Sequence, residues 1–183
     1  MDRQEALKLV KKEVKNRNLV KHMLAAEAVM AMLAEHFGED KNKWALAGLL
    51  HDIDYDYTKD NPEKHSLVGG EMLKKLGVDE EIVHAVISHN EHEGYERKSL
   101  LDKALYATDP LTGLIVAAAL IHPDKKLASI DTQFVLNRFG EKSFARGANR
   151  EQIASCTDIG LELEEFVDLG LKAMKDISDE LGL

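Results

Sequence analysis

Apolar residues along this chain recur three and four positions apart, the spacing of one face of an α-helix. Ala6, Leu7, Val10 and Val14, set among Lys and Glu, predict a first amphipathic helix that covers the core. After Asn16-Arg17-Asn18, the residues His22, Ala26, Val29 and Leu33 share the inner face of a second helix ending near Gly38. Trp44, Ala47, Leu50 and His51 form the stripe of a third, with Asp52 at its carboxyl end and a polar, aromatic loop running on to Asp60. Asn61-Pro62 reads as a helix start, with Asn as N-cap and Pro at the first helical position. His65, Val68, Gly69, Met72 and Leu76 then line one face until Gly77 stops it. Asp79 caps a fifth helix whose buried side carries Ile82, Ala85, Val86 and His89.

A polar break over residues 90–98 precedes Leu101, Ala104, Leu105 and Thr108. Asp109, standing before Pro110, is placed to cap the next helix, Leu111 to Ile121, which is almost wholly apolar and so buried. Beyond Pro123 the pattern stays helical. Phe134 and Val135 precede Gly140, Asn149 with Gln152 reads as a capping box, and Phe166, Gly170, Ala173, Met174, Ile177 and Leu181 mark a long closing helix. No segment alternates as a strand would, and no repeat or linker divides the chain, so the expected fold is all-α and one domain over residues 1–183.

A chain of 183 residues, 44% hydrophobic and 31% charged, has the composition of an ordinary globular protein. The net charge of −9 argues against a nucleic-acid polymer as the main partner, and an anionic substrate would need a local positive centre. The amino terminus reads as amphipathic and not as a secretory signal. The longest wholly apolar run, Leu114 to Ile121, is far below the roughly 20 residues that span a bilayer. A single cysteine, Cys156, excludes an internal disulfide and reads as a small buried filler. A reducing, cytoplasmic setting without membrane attachment is the expectation.

Candidate chemistry concentrates on histidine. Of eight histidines, His22, His51, His65 and His89 fall on core-facing stripes, His36, His84 and His122 read as surface or loop residues, and His92 lies three positions past His89. An imidazole and a carboxylate facing a core are costly unless paired or coordinated, and Asp52 and Asp109 add two carboxylates at helix ends. Histidine and carboxylate ligands without thiolate suit Fe, Mn, Ni or Zn, and one bridging carboxylate serves two metals. Asp52, Asp54, Asp56, Thr58, Asp60 and Glu63 also fall at the spacing of a calcium loop, but Tyr57 stands where that loop requires glycine. Arg138, Lys142, Arg146 and Arg150 recur every four residues and read as a solvated basic face before a phosphate clamp.

The order His22, His51-Asp52, His65, His89, Asp109 resembles the HD-domain superfamily of metal-dependent phosphohydrolases, over roughly residues 19–121, with residues 124–183 as helices packed on that core. The resemblance implies that His22, His51, Asp52 and Asp109 hold one divalent transition metal. His65 and His89, with Asp52 bridging, would hold a second. Many dinuclear relatives carry a lysine three positions after the Asp, where this chain has Tyr55.

The implied reaction is hydrolysis of a phosphate ester or anhydride in a small phosphorylated molecule, a nucleotide first among them, by metal-activated water. Asp52 is then central to catalysis, with His92 and Lys59 as the available candidates for a proton donor. Two other functions fit the same ligands: a dinuclear-iron oxygenase of the same fold, and a nucleotide-binding module without turnover. Specificity is expected from the Tyr55 to Asn61 loop and the carboxyl-terminal helices.

Overall fold

The computed structural model describes residues Met1–Leu183 and is helical throughout, with no strand. Helices α1 (Arg3–Glu13), α2 (Arg17–Phe37) and α3 (Lys41–Leu50) follow one another closely, each started by a polar side chain that accepts backbone N–H groups: Asp2, Asn16 and Asp40. A short turn of helix, α4 (Tyr55–Thr58), leads to α5 (Leu67–Lys75) and α6 (Glu80–Ser88). The long α7 (Leu100–Ile121) is followed by α8 (Thr132–Gly140), α9 (Arg150–Ala154), α10 (Leu163–Asp176) and α11 (Ser178–Leu181). Helices α2, α3 and α7 pack on one another at the centre; α6 lies against α3 and α7 with α5 beside it, and α10 crosses α2 and α7.

Gly48 sets the closeness of α2 and α3. A Cβ built there would lie 2.6 Å from the Ala26 carbonyl oxygen, so only hydrogen lets the two backbones approach this far. That approach brings His22 and His51, carried on the two helices, to the same point.

Helix α7 corrects the expected break at Pro110. It runs unbroken from Leu100 to Ile121 with Pro110 inside. Proline has no N–H to give the carbonyl four residues back, here that of Tyr106, and an orphaned carbonyl is what normally ends a helix. Gln152 Nε2 donates to the Tyr106 oxygen at 2.8 Å and supplies the missing bond. Gln152 is therefore not the second half of a capping box; Asn149 alone caps α9, accepting from the Glu151 and Gln152 amides. Asp109 is correspondingly not a helix cap, and its side chain is free for other work. By length and composition α7 could cross a membrane, yet Ala104, Leu105, Leu111, Leu114 and Ile115 on it are fully buried within the fold.

The stretch before α5 also departs from its pattern. Pro62–Lys64 forms a single 3-10 turn that Asn61 does not cap, and the chain breaks at His65 and Ser66 before α5 begins at Leu67. Ser66 adopts φ 68°, a left-handed conformation uncommon for a residue with a side chain. Its hydroxyl donates to the Ile87 carbonyl at 2.9 Å, which anchors the bend on α6. His65 thus projects from a bend and not from a helix face. Leu76, expected on the buried stripe, is 53% exposed just past the end of α5.

The basic strip has a structural use at one end. Arg150 donates through its guanidinium to six carbonyls, those of Arg138, Phe139, Glu141, Phe144, Ala145 and Ala148, and so closes the 138–149 turn around itself. Lys142 and Arg146 are exposed, and Arg138 pairs with Glu141 at 2.9 Å.

Candidate metal centre

Six side chains from five parts of the chain converge where α2, α3, α6 and α7 meet the bend at His65. His22 Nε2 lies 3.0 Å from Asp109 Oδ1, 3.1 Å from His51 Nε2 and 3.7 Å from Asp52 Oδ2. His51 Nε2 lies 3.5 Å from Asp52 Oδ2 and 3.7 Å from Asp109 Oδ1. The other oxygen of Asp52 faces the opposite way: Oδ1 lies 3.2 Å from His65 Nε2 and 3.7 Å from His89 Nε2. Ligands on bonds of about 2.1 Å stand about 3.0 to 3.4 Å apart around a common ion. Three of these separations fall in that range and the other four are slightly wider, at 3.5 to 3.7 Å, a grouping that could hold a metal ion. His51 stands between the halves, since its ligand atom also groups with those of Asp52 and His89 within 4.8 Å.

The chemistry of the donors fits a cation. Each of the four rings has its Nδ1 engaged on the far side. His51 Nδ1 is 2.8 Å from the Gly48 carbonyl, His89 Nδ1 2.5 Å from the Val86 carbonyl, and His65 Nδ1 3.0 Å from Asp54 Oδ1. His22 Nδ1 is 2.8 Å from Thr112 Oγ1, whose own proton goes to the Asp109 carbonyl at 2.9 Å, leaving the hydroxyl to accept from the ring. Nδ1–H is the hydrogen-bonding tautomer at all four, and the Nε2 lone pairs face inward. Two such lone pairs 3.1 Å apart, at His22 and His51, repel unless a cation lies between them.

Electrostatics agree. Burial opposes protonation of His51, but Asp52 and Asp109 outweigh it and lift the imidazole to about 9. At His65 burial is likewise outweighed, by Asp52 and Asp54, and the ring is raised to about 10. Against the desolvation that would raise them, the facing imidazoles hold Asp52 and Asp109 far below the usual carboxylate range. A positive charge is demanded here, and a metal meets that demand as a proton does.

Two groups in this arrangement were not visible in the helical pattern. Asp54, fully buried, holds His65 with one oxygen and accepts the Gly69 amide with the other at 2.8 Å. A Cβ on Gly69 would lie 3.2 Å from the Asp54 carboxyl carbon, so the glycine makes room for it. Thr112 is the second; a lone hydroxyl in an apolar run, three positions after Asp109, was its one sequence signal. Of the calcium-spaced carboxylates, Asp54 turns to His65 and Asp56 accepts the Lys15 amide at 2.7 Å, so they do not share a focus.

The structure brings His92 to the His65 backbone instead of into the cluster: Nε2 is 2.7 Å from the His65 carbonyl and 2.9 Å from Ser66 Oγ. Lys59 is exposed, and its ammonium makes no hydrogen bond or ion pair with the cluster. Tyr55 presents its ring to the edge of His65, 5.9 Å between centroids. His22, Asp109 and His65 keep 22%, 30% and 19% side-chain exposure, against 0% for His51 and 3% for His89. The centre therefore opens beside α2, α7 and the bend, and is closed beneath.

The family profile described as HD domain matches residues 19–119. The chain belongs to the HD-domain family. That superfamily comprises metal-dependent phosphohydrolases, and the matched span carries all six converging side chains. Among curated proteins, this HD domain is 34% identical over 98 residues to Ribonuclease Y of Nitratidesulfovibrio vulgaris strain DP4, covering 54% of this chain and 18% of the relative. It is 34% identical over 104 residues to Ribonuclease Y of Lawsonia intracellularis, covering 57% and 20%. It is 30% identical over 141 residues to Ribonuclease Y of Clostridium perfringens strain SM101, covering 74% and 27%. The chain thus spans about a fifth to a quarter of these relatives. Their name removes support for excluding nucleic acid on net charge: charge summed over a whole surface says little about one pocket whose positive centre would be metal.

Proposed function

We propose that this HD domain is a dinuclear metal-dependent phosphodiesterase acting on a small nucleotide or nucleotide-like ester. The observation that carries the reading is the division of Asp52. One carboxylate oxygen faces His22 and His51, the other faces His65 and His89, as a carboxylate shared by two ions must. Asp109 completes the first set.

His22, His51, Asp52, His65, His89 and Asp109 would hold divalent transition metals there, which would supply Lewis acidity to activate water near neutral pH and to neutralise charge on non-bridging phosphoryl oxygens. The protein's part is preorganisation. Four Nδ1 anchors fix the rings so that Nε2 needs no reorientation, and Asp52 holds the two halves at constant separation. His92 acts as a positioning residue that pins the backbone carrying His65. The relatives named Ribonuclease Y support a phosphodiester bond as the target and make short RNA one member of the substrate class to be tried.

The test is anaerobic purification with elemental analysis, followed by product release from nucleoside monophosphates, cyclic nucleotides, dinucleotides and short RNA. Two metals per chain falling to one in His65→Ala, with diester cleavage that vanishes together with metal in Asp52→Ala, is the expected result. Wild-type turnover in Asp52→Ala, or no product from any ester with both metals bound, overturns the reading; oxygen uptake in place of hydrolysis would assign the iron oxygenase chemistry instead.

A further inference from the structure

A cavity of about 380 Å³ adjoins the candidate centre on its open side, between α2 and α7 and against the Leu181–Leu183 segment. It shares His22 and Thr112 with the centre, and its remaining wall is mostly apolar, with Val116 and Leu120 from α7. Its size falls in the roughly 300 to 1,000 Å³ range of small-molecule sites. Lys21 borders it, and one of its three donors is taken by the Leu181 carbonyl at 2.7 Å, which fixes the ammonium in place with donors to spare.

Gly113 lies in this wall one helical turn beyond Asp109, on the same side of α7. A Cβ there would meet nothing within 4 Å and the residue does not need a left-handed backbone, so neither packing nor conformation explains glycine in the middle of a long helix. Glycine here adds no side chain to the cavity wall.

We infer that this cavity binds the organic group retained on the phosphorus of the substrate, a ring-bearing alcohol such as a nucleoside, esterified to the phosphate held at the metal centre, with Gly113 as the residue that admits it. The inference rests on the phosphodiesterase reading for the phosphate, but binding of the ring is separable from turnover. Lys21 would donate to a ring nitrogen or hydroxyl of that group, while Val116 and Leu120 cover its face.

The experiment has two readouts on the whole, metal-loaded protein. Methyl NMR of Val116 and Leu120 is followed while adenosine or uridine, which carry no phosphate, is added to wild type and to Gly113→Phe. Shifts at these methyls in wild type, lost in Gly113→Phe, are expected. In parallel, KM is compared for bis(p-nitrophenyl) phosphate, which keeps a ring on phosphorus when one p-nitrophenolate leaves, and methyl p-nitrophenyl phosphate, which keeps only a methyl group. The variant is expected to raise KM for the bis-aryl ester about tenfold or more relative to the methyl ester, with metal per chain as the control. Methyl shifts without hydrolysis of any ester support the cavity and overturn only the phosphodiesterase reading. No shift in wild type with either nucleoside, or equal KM changes for both esters, overturns the inference, and the wild-type titration decides it even where Gly113→Phe fails to fold.

Discussion

Asp54 holds the outer nitrogen of His65 at 3.0 Å while its second oxygen takes the Gly69 amide, so a buried carboxylate ties an imidazole to the first turn of α5. Because His65 sits in a bend and not on a helix, this bond is what aims its ring. Asp54→Asn keeps the shape but offers one amide NH₂ where two acceptors are needed. Loss of such an outer partner typically weakens a metal site by about 10- to 100-fold, so elemental analysis after dialysis should show the second metal depleted and the first retained. Equal retention of both would mean that His65 is oriented by the bend alone.

Gln152 and Pro110 form a second testable pair. Gln152→Leu leaves the Tyr106 carbonyl unpartnered and is expected to cost about 1 to 2 kcal/mol in urea unfolding. In a Pro110→Ala background the new backbone N–H takes over that carbonyl, and the cost of Gln152→Leu should shrink by about 0.5 to 1 kcal/mol. Additive losses would show that Gln152 stabilises the protein by some other route.

The two glycines of α3 and α7 should respond oppositely to the same change. Gly48→Ala pushes a methyl into the Ala26 backbone and is expected to destabilise by about 1 to 3 kcal/mol while weakening the proposed metal binding at His22 and His51. Gly113→Ala enters open space on a helix surface and should stabilise by up to about 1 kcal/mol. Thermal unfolding of both variants, with metal per chain for the first, checks the contrast.

Cys156 should be chemically silent in the native state. Burial, with the negative charge of Glu162 beside it, pushes the thiol up to about 11. At pH 8 only about one molecule in a thousand then carries the thiolate, which is the reactive form. Labelling by a thiol-specific disulfide reagent at that pH should be negligible until denaturant is added, and prompt native labelling would contradict the buried placement.

The helical period reveals much of this fold because every core helix exposes one face and buries another, and five of the six converging side chains lie on or at the end of such a stripe. What the period misses is what depends on contacts distant in sequence. Pro110 announces a helix end by local rules, and only Gln152, forty-two positions later, cancels it. Asn61-Pro62 announces a helix start, yet Ser66 bonded to Ile87 delays it to Leu67. Asp54 reads as one more loop carboxylate until His65 and Gly69 are seen folded over it. Arg150 reads as a surface charge because nothing local shows the carbonyls gathered around it.

The anchors behind the four imidazoles are of unlike kinds. His51 and His89 lean on backbone carbonyls, His22 on a hydroxyl, and His65 on a full negative charge. An imidazole backed by a carboxylate is the stronger electron donor. The two halves of the centre are therefore unequal before any ligand arrives, and a molecule laid across them meets a polarity with a fixed sense. If the centre takes a phosphate ester as proposed, one with different groups on either side of its phosphorus would have one preferred way round.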